Sequence, residues 1–227
     1  MEEQENAAAT LVTAAKSIAS DPDWLKKVVI GGLISPFPVA NFLTWGYTYR
    51  VFVDGLNAVP TLVLPTWGEW RTFFRVGFWI FVITLVYVVL AAFGITAAIS
   101  LTQGGISGDF RTMTLVGLGS LAVFNTVAPV VFTRFAEYGR VWACFEPDAV
   151  LRDLVRVVRL DYVQLVFLYY GLWTMSLIVF GGLPIVGVPF VCVSQFVLTL
   201  LFSHVFGRLV GHRKKDPPVV SSEPDPE

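Results

Sequence analysis

The chain has 227 residues, of which 55% are hydrophobic and only 15% carry a charge. Soluble domains have a charged fraction of roughly 25%, so this composition excludes an ordinary soluble protein. The 16 basic and 17 acidic residues leave a formal net charge of -1, which argues against a nucleic-acid binder. We therefore expect an all-α integral membrane protein whose first partner is the lipid bilayer.

Residues 1–20 are predicted to form a polar N-terminal segment outside the bilayer. They begin with an acidic stretch that includes Glu2 and Glu5, whereas a signal peptide begins with basic residues. We expect no cleavage, with the first membrane segment directing insertion. A single membrane domain is predicted over residues 21–211, followed by a short, proline-rich, acidic tail at 212–227 that we expect to be disordered.

The first uncharged run covers residues 28–49, within a segment near 24–55, and is interrupted in its middle. Pro36 and Pro38 remove two backbone donors and disfavour helix at the residues before them. Basic residues precede the run and Arg50 follows it, so the charge rule places both of its ends in the cytoplasm. A re-entrant hairpin whose tip is buried in protein satisfies both observations. The alternative is a proline-kinked span that leaves the N-terminus outside.

Three further uncharged runs predict four transmembrane helices. A span needs about 20 apolar residues, so the runs at 76–108 and 112–133 hold one helix each, and the run at 162–207 holds two. The last run divides at Gly181-Gly182-Leu183-Pro184, where glycine and proline favour a turn. The four predicted spans form two hairpins and lie near residues 76–101, 112–135, 162–181 and 184–207.

The distribution of basic residues orients these hairpins. Residues 134–161 and the C-terminus are rich in arginine and lysine, and residues 50–75 add further arginines on the same side. The opposite loops carry only Arg111. By the positive-inside rule, residues 50–75, 134–161 and the C-terminus face the cytoplasm, which places the protein in the cytoplasmic membrane.

Two stretches beside the spans, near 66–75 and 147–160, are predicted to be amphipathic helices lying flat on the membrane. In the first, Thr66 and Glu69 have the spacing of a capping box. The second has an apolar stripe, expected to face inward, that consists of Val150, Leu151, Leu154, Val155 and Val158. The opposite, polar face is predicted to carry Arg152, Asp153, Arg156 and Arg159. The interfacial anchors predicted in and around these stretches are Trp24, Trp67, Trp70, Arg71, Arg75, Trp142, Arg152, Arg156 and Arg159.

The two amphipathic stretches also follow similar tetrapeptides. These are Tyr49-Arg50-Val51-Phe52 and Gly139-Arg140-Val141-Trp142. The similarity indicates an internal repeat, a feature found in many transporter folds but also in folds that transport nothing.

Several stretches together carry a family resemblance. They read Asp21-Pro22-Asp23-Trp24-Leu25-Lys26-Lys27, Ile30-Gly31-Gly32-Leu33, Pro38-Val39-Ala40-Asn41-Phe42, Gly46-Tyr47-Thr48-Tyr49-Arg50-Val51 and Leu64-Pro65-Thr66-Trp67 followed by Trp70. Over roughly 20–210 the chain resembles the uncharacterised prokaryotic family called domain of unknown function 4013. Members usually have acidic residues between the two tryptophans, where this chain has Gly68-Glu69. The resemblance implies a polytopic protein of the prokaryotic inner membrane and brings no activity with it.

The uncharged runs that hold the predicted spans contain no Asp, Glu, Lys or Arg, and Arg134 comes only at the end of the second span. Pumps and ion carriers usually place such groups at membrane depth. The polar candidates there are Asn41, Asn125 and Gln195, each able to form a hydrogen bond between helices. Because Asn41 follows Pro36 and Pro38, it is also the candidate to satisfy the open carbonyls of the hinge. We expect this hinge to be packed and to lie beside any bound ligand.

Sequence motifs for catalysis or metal binding are absent. The chain has no nucleophile elbow, phosphate loop or metalloprotease motif, and Cys144 and Cys192 lack metal-ligand spacing. His204 is the one histidine within a span, too few for a bis-histidine haem. We therefore expect no enzyme activity, no metal and no cofactor. Arg134 and Glu137, three residues apart, are expected to form an ion pair where their helix leaves the membrane.

Two functions are compatible with these features. The first is a non-catalytic scaffold, assembly factor or accessory subunit that packs against other membrane proteins, further copies of itself or lipid. The second is a permease for small molecules or lipids that uses the broken first segment. A sealed bundle with an exposed flat face would favour the first, and a polar cavity that reaches Asn41, Asn125 or Gln195 would favour the second.

The charge distribution predicts that the N-terminus and the C-terminus share the cytoplasmic side. A cysteine introduced at residue 10, in a background without Cys144 and Cys192, should be labelled by a membrane-impermeant thiol reagent only after the cells are opened. Labelling in intact cells would contradict the re-entrant segment and support the kinked span.

Overall fold

The computed structural model describes residues 7–103, 109–183 and 187–215. Within that part of the chain all regular structure is helical, which confirms the predicted all-α class. The helices are α1 (Ala7–Ser20), α2 (Trp24–Ile34), α3 (Asn41–Leu56), α4 (Trp70–Gln103), α5 (Phe110–Tyr138), α6 (Pro147–Val157), α7 (Leu160–Gly181) and α8 (Gly187–Lys215). Two short 3-10 helices, Trp67–Glu69 and Val141–Phe145, precede α4 and α6.

The helices α4, α5, α7 and α8 are each long and apolar enough to cross a membrane, which confirms the four predicted spans. Their outer faces are covered with large apolar side chains, such as Leu90 and Phe93, which are 60% and 71% exposed. A soluble protein rarely exposes apolar patches of this extent. The lipid bilayer is therefore the environment that these faces fit.

The long helices pack as antiparallel neighbours, α4 with α5 and α7 with α8. Facing pairs are Ile95 with Gly119, Tyr87 with Phe124, Tyr162 with Phe206 and Tyr169 with Phe202. The helix α7 also runs antiparallel to α5, since the Tyr162 hydroxyl donates to Thr126 and the Tyr170 hydroxyl to Leu121. Thus α4 and α7 begin, and α5 and α8 end, at one end of the bundle, which we call the basic end because most arginines lie there.

The first hydrophobic segment forms a helical hairpin rather than a kinked span. The arm α2 runs antiparallel to α8, because Gly31 faces Phe196 and Gly32 faces Val193. The arm α3 runs parallel to α8, because Tyr47 packs on Phe196 and the Phe52 carbonyl lies against Gly207. Both arms therefore have their outer ends at the basic end, which is the re-entrant arrangement of the two predicted alternatives.

The tip of this hairpin is not buried in protein, contrary to the expectation. Phe37 and Val39 are 62% and 66% exposed, and both prolines beside them are exposed as well. The backbone closes the turn locally: the Phe37 amide donates to the Ile34 carbonyl at 3.2 Å, and the Asn41 amide donates to the Phe37 carbonyl at 2.7 Å. These short-range bonds satisfy the Ile34 and Phe37 carbonyls within the hairpin itself, so those two carbonyls need no partner from other helices.

Glycines allow α3 to lie very close to α4. A Cβ atom on Gly46 would lie 1.9 Å from the Phe73 carbonyl oxygen, and one on Gly77 would lie 1.8 Å from the Phe42 carbonyl oxygen. Such spacing is possible only where no side chain intervenes.

Glycines also allow α3 to lie very close to α8. A Cβ atom on Gly55 would lie 2.3 Å from the His204 carbonyl oxygen, and Gly207 and Gly211 approach the Phe52 and Leu56 carbonyls equally closely. Gly207 and Gly211, one turn apart, thus form the α8 side of this helix contact. The short arm α3 is held between two long helices by direct backbone contact.

The amphipathic stretch predicted near 66–75 is not a separate helix. Thr66 makes no side-chain capping bond, so the expected capping box is absent, and only one 3-10 turn precedes Trp70. From Trp70 onward α4 continues without a break into the membrane-spanning part. The physical reason is that neither proline nor glycine occurs between Trp70 and Val76 to end the helix.

The segments at the two ends of the described chain also differ from expectation. Residues 7–20 form α1, whose Ala14 and Ile18 are buried in the same apolar cluster as Val28 and Leu200. The apolar side of α1 that carries Ala14 and Ile18 packs there because α2 and α8 supply the other side of the contact. The helix α8 continues through residues 212–215, where the sequence predicts a tail. The remainder of that predicted tail lies outside the described residues.

The two similar tetrapeptides adopt different structures. Arg50 lies inside α3, whereas Arg140 has an extended backbone after α5 has ended at Gly139. Gly139 has a φ of 61°, the left-handed conformation that commonly ends helices. The repeat in sequence is therefore not a repeat in local structure at this point.

The close packing of α3 on α4 predicts opposite effects for two glycines of the same helix. Gly77→Ala should lower the free energy of unfolding by about 1–3 kcal/mol, since the added methyl group collides with the α3 backbone. Gly94→Ala, where the new Cβ meets open space, should leave stability unchanged or raise it by up to about 1 kcal/mol through helix propensity. Thermal unfolding in detergent measures both, and equal melting temperatures for the two variants would contradict the packing.

Candidate functional site

A cavity of about 310 Å³ lies inside the bundle, between α3, α4, α5, α7 and α8. Volumes of this size are at the lower end of those that hold a small ligand. The walls are mostly apolar and aromatic, with Trp45 and Phe52 contributed by the hairpin arm α3. The hydroxyl and amide groups on its walls include those of Thr48, Thr84, Asn125, Tyr170, Thr199 and Ser203.

The wall formed by α5 is shaped by a proline. Pro129 lies inside this helix and lines the cavity together with Asn125. Because Pro129 has no N–H group, it cannot donate the helical hydrogen bond that the carbonyl of Asn125 would otherwise accept. The cavity wall thus contains a backbone acceptor without its usual helical donor.

The cavity lies beside the contact between α5 and α7. These helices are joined by two tyrosines of α7: the Tyr162 hydroxyl donates to the Thr126 carbonyl at 2.5 Å, and the Tyr170 hydroxyl lies 3.4 Å from the Leu121 carbonyl oxygen and 3.5 Å from that of Ala122. Leu121, which lines the cavity, is 46% exposed. Both helices are long and apolar enough to span a membrane, so their outer faces fit lipid.

Three threonine hydroxyls of the cavity are available as acceptors. The hydroxyls of Thr48, Thr84 and Thr199 each donate to a carbonyl of their own helix, at 3.0, 2.8 and 2.8 Å. Their oxygens keep lone pairs that can accept further bonds. The described residues that line the cavity include no charged side chain. The cavity therefore suits a neutral molecule with an apolar body and a hydroxyl or amide donor.

Of the three polar intramembrane candidates, the structure places only Asn125 at the cavity. Its amide nitrogen donates to the Leu121 carbonyl at 2.9 Å. Gln195 instead joins α8 to α7, donating to the Trp173 carbonyl at 3.0 Å. Asn41 begins α3, and its side-chain oxygen accepts a hydrogen bond from Thr44, so its role differs from the predicted one of satisfying hinge carbonyls.

The hinge itself lies away from the cavity. Pro36 and Pro38 are exposed at the hairpin tip, and neither lines the cavity, although we expected any ligand to lie beside them. The hairpin contributes instead through residues further along α3, from Trp45 to Phe52. The prolines thus act indirectly, by turning the chain so that α3 can enter the bundle.

The predicted tryptophan anchors fall into two groups. Trp67 is half-buried: its ring stacks on Tyr47 with a centroid distance of 4.4 Å, and its Nε1 donates to the Lys27 carbonyl at 3.2 Å. This residue packs the hairpin against the start of α4. Trp70 and Trp142 are 52% and 82% exposed, as expected of side chains at a membrane boundary.

The remaining anchors are exposed at or near the basic end. The guanidinium carbon of Arg71 lies 5.3 Å from the Trp70 ring centroid, a distance typical of a cation–π contact. The anchors with exposed side chains are Trp24, Arg71, Arg75, Arg152, Arg156 and Arg159.

The apolar stripe predicted on α6 is partly buried and partly exposed. Val150 is buried and Leu154 is half-buried against the bundle, whereas Leu151 and Val155 are 60% and 70% exposed. The prediction that the whole stripe faces inward is therefore wrong for two residues. Asp153, placed by the periodicity on the solvent face, is buried instead.

The reason for the burial of Asp153 is an ion cluster around Arg134, near the end of α5. The Arg134 guanidinium bonds Asp153 at 3.1 Å, Glu146 at 2.7 Å and the Ala143 carbonyl at 2.8 Å. Its carbon also lies 5.2 Å from the Tyr138 ring centroid. These partners come from the turn after α5 and from α6, not from Glu137 as predicted.

Cys144, beside this cluster, is not a reactive thiol. Burial raises the pKa of Cys144 to about 11, although nearby Arg134 acts in the opposite direction. The thiol lies 3.6 Å from the Val131 carbonyl oxygen, and the Cys144 carbonyl accepts a 2.5 Å hydrogen bond from Tyr87. At neutral pH the sulfur stays protonated and serves to dock this turn against α4 and α5.

Sequence reasoning missed the α3 wall and the role of Pro129. Nothing in hydropathy distinguishes Trp45 or Thr48 from ordinary residues of an amphipathic hairpin arm. A signal for the α5 wall was present, because Pro129 interrupts an uncharged run one turn after Asn125. A proline four residues after Asn125 leaves the Asn125 carbonyl without its usual helical hydrogen-bond donor.

The ion cluster predicts a large effect for Arg134→Met. The substitution leaves Asp153 buried without its cation and should lower the free energy of unfolding by about 3–5 kcal/mol. Arg140→Gln, at an exposed arginine near the same turn, should change it by less than about 0.5 kcal/mol. Urea unfolding followed by tryptophan fluorescence measures both, and a difference under 1 kcal/mol would rule out a structural role for the cluster.

Comparison with known families agrees with this architecture. Residues 29–193 match the family described as protein of unknown function (DUF4013), a stretch that covers more than half of the chain. No curated protein and no solved structure matches the chain. The matched region includes α3, α4, α5 and α7 whole, and with them most of the cavity. The chain therefore belongs to the DUF4013 family of proteins, and this member is a multi-pass, all-α membrane protein.

Proposed function

We propose that this protein is a non-catalytic membrane protein that takes up a neutral amphipathic molecule from the bilayer, such as a lipid with an uncharged headgroup. The observation that carries the proposal is the largely apolar cavity inside the bundle, lined by α3, α4, α5, α7 and α8. We infer that it is reached from the lipid between α5 and α7. Of the two functions compatible with the sequence, this is the lipid-handling one. The cavity reaches Asn125, as the feature expected to favour this function requires, but its walls are mostly apolar and aromatic where a polar cavity was expected.

The chemistry of the walls supports a neutral ligand over an ion. An ion at membrane depth needs a countercharge or a full shell of polar ligands, and the described lining offers only uncharged groups among apolar ones. Aromatic and aliphatic side chains would cover an acyl chain or ring system. The acceptor oxygens of Thr48, Thr84 and Thr199 would bind one or two hydroxyl groups.

The lack of a reactive constellation supports a binding role rather than catalysis. Asn125 and the hydroxyls of the cavity have no neighbouring base among the described lining residues, and the cysteine nearest the basic end has a raised pKa. General acid–base or nucleophilic chemistry needs such an activated pair. Binding, transfer or sensing of a ligand needs none.

The proposal also includes an orientation and a location. We place the basic end in the cytoplasm of a prokaryotic cell, because short loops rich in arginine and lysine stay on that side. The cavity then lies nearer the cytoplasmic half of the membrane, since it contacts α8 at residues 199–206. A ligand would enter sideways, from the lipid, without crossing a headgroup layer.

The scaffold hypothesis makes a different prediction. A subunit that holds other membrane proteins should co-purify with them in mild detergent at a fixed ratio. Recovery of such a stoichiometric partner, together with an absence of saturable ligand binding, would replace the lipid-handling proposal with the scaffold.

Binding can be tested with a monoacylglycerol that carries bromine atoms on its acyl chain. Trp45 lines the cavity, so entry of the probe should quench its fluorescence, measured as the difference between the native chain and Trp45→Phe. We expect this quenching to saturate. Ala128→Phe, which fills the cavity from α5, should weaken the apparent affinity by about tenfold or more, a loss of about 1.4 kcal/mol.

The matched control is Gly117→Phe, on the same helix. Its new side chain meets open space on the lipid face and should leave the quenching curve unchanged. If quenching rises linearly with probe concentration and is the same in all variants, the probe only partitions into the detergent and the proposal fails.

A further inference from the structure

We propose a second binding site, at the basic end, for a singly charged phosphate group, and we assign it to the headgroup of an anionic phospholipid. The site is a cleft of about 350 Å³ between the end of α5 and α6. It is separate from the intramembrane cavity and does not depend on the function proposed for that cavity.

The floor of the cleft is preorganised. Arg134 is fixed by its bonds to Asp153, Glu146 and the Ala143 carbonyl and by contact with the Tyr138 ring. A buried guanidinium with this many partners does not reorganise when a ligand arrives. The floor thus holds α6 at a fixed distance from α5.

Two further arginines stand at the mouth of the cleft. Arg152 and Arg156 are one turn apart on the face of α6 that lines it, and both are exposed. Within the described part of the chain no carboxylate forms an ion pair with either one. Two guanidinium groups one helical turn apart can each bind phosphate oxygens with two parallel hydrogen bonds.

The charge of the cleft matches one phosphodiester. Its lining contains three arginines and two carboxylates, which leaves one net positive charge. A phosphodiester carries one negative charge and would neutralise the cleft. A doubly charged phosphate would leave one negative charge uncompensated.

The surroundings of α6 indicate that the phosphate belongs to a lipid. Leu151 and Val155, on the side of α6 turned away from the bundle, are 60% and 70% exposed beside the arginine pair. An exposed apolar pair next to cationic side chains is the pattern of a helix lying in the headgroup layer. Trp142, exposed just before α6, fits the same depth.

The site can be tested with the full chain in nanodiscs. Bilayers of neutral phosphatidylcholine are compared with bilayers that contain a few per cent of phosphatidylglycerol, and bound lipid is counted by native mass spectrometry after release into detergent. The native chain should retain phosphatidylglycerol above its share in the bilayer. Arg152→Gln with Arg156→Gln should weaken this retention by about tenfold or more.

The chain offers a matched control in Arg71 and Arg75, another exposed pair four residues apart at the basic end. Arg71→Gln with Arg75→Gln removes the same charge and should leave retention unchanged. If both double variants lose phosphatidylglycerol retention equally, the lipid is attracted by surface charge alone and the site does not exist. Arg152→Lys with Arg156→Lys keeps the charge and loses the paired hydrogen bonds, so retention equal to the native chain would also overturn the site.

Inorganic phosphate distinguishes the two sources of the anion. We expect millimolar phosphate to displace little phosphatidylglycerol from the native chain, since only the lipid also contacts Leu151 and Val155. Displacement by low concentrations of phosphate, with binding of phosphate by the detergent-solubilised chain alone, would overturn the assignment to lipid. The melting temperature of each variant is measured alongside, and a folded Gln variant that keeps full retention contradicts the proposal.

Discussion

The close contact of the α3 backbone with α4 and α8 is the constraint on which the rest of the structure depends. Gly46 and Gly77 bring α3 against α4, and Gly55 and Gly207 bring it against α8. At these distances the helices contact each other through backbone atoms and not through interdigitating side chains. A short helix that does not cross the bundle is thereby held as firmly as a spanning one, because dispersion contacts and weak backbone hydrogen bonds act over its whole length.

This placement of α3 explains the cavity. With α3 between α4 and α8, the remaining helices α5 and α7 cannot close against each other completely. The tyrosines Tyr162 and Tyr170 reach from α7 to carbonyls of α5 across the gap. Pro129 adds to the effect, since a proline inside a helix displaces the preceding turn. The space is therefore a consequence of helix arrangement, not of a missing side chain.

The elements most accessible to sequence reasoning were those set by hydropathy. The three uncharged runs after residue 75 are long enough for four spans, and Pro36 with Pro38 must interrupt the first run whatever its partners are. The choice between hairpin and kinked span was open until the contacts of α2 and α3 with α8 were known. Those contacts depend on which glycines meet which carbonyls, and this pairing between distant segments leaves no local pattern.

The candidate site was only partly predictable, for a similar reason. Asn125 stood out as a polar residue in an apolar run, but Gln195 stood out equally and binds a neighbouring helix instead. Periodicity placed Asp153 on the surface because it counts only the residues of its own helix. The burial of Asp153 comes from Arg134, nineteen positions earlier in the chain, whose guanidinium needs a carboxylate when it leaves water.

The account rests most directly on the hairpin, and a depth profile along it provides the test. Single cysteines are placed at successive positions from residue 25 to residue 54, spin-labelled, and their collision rates with oxygen and with a water-soluble nickel complex are compared in bilayers. The account predicts that depth rises along α2, is greatest near Phe37, and falls again along α3 to the same aqueous side. A depth that passes through the bilayer centre once, with the two ends on opposite sides, would contradict it.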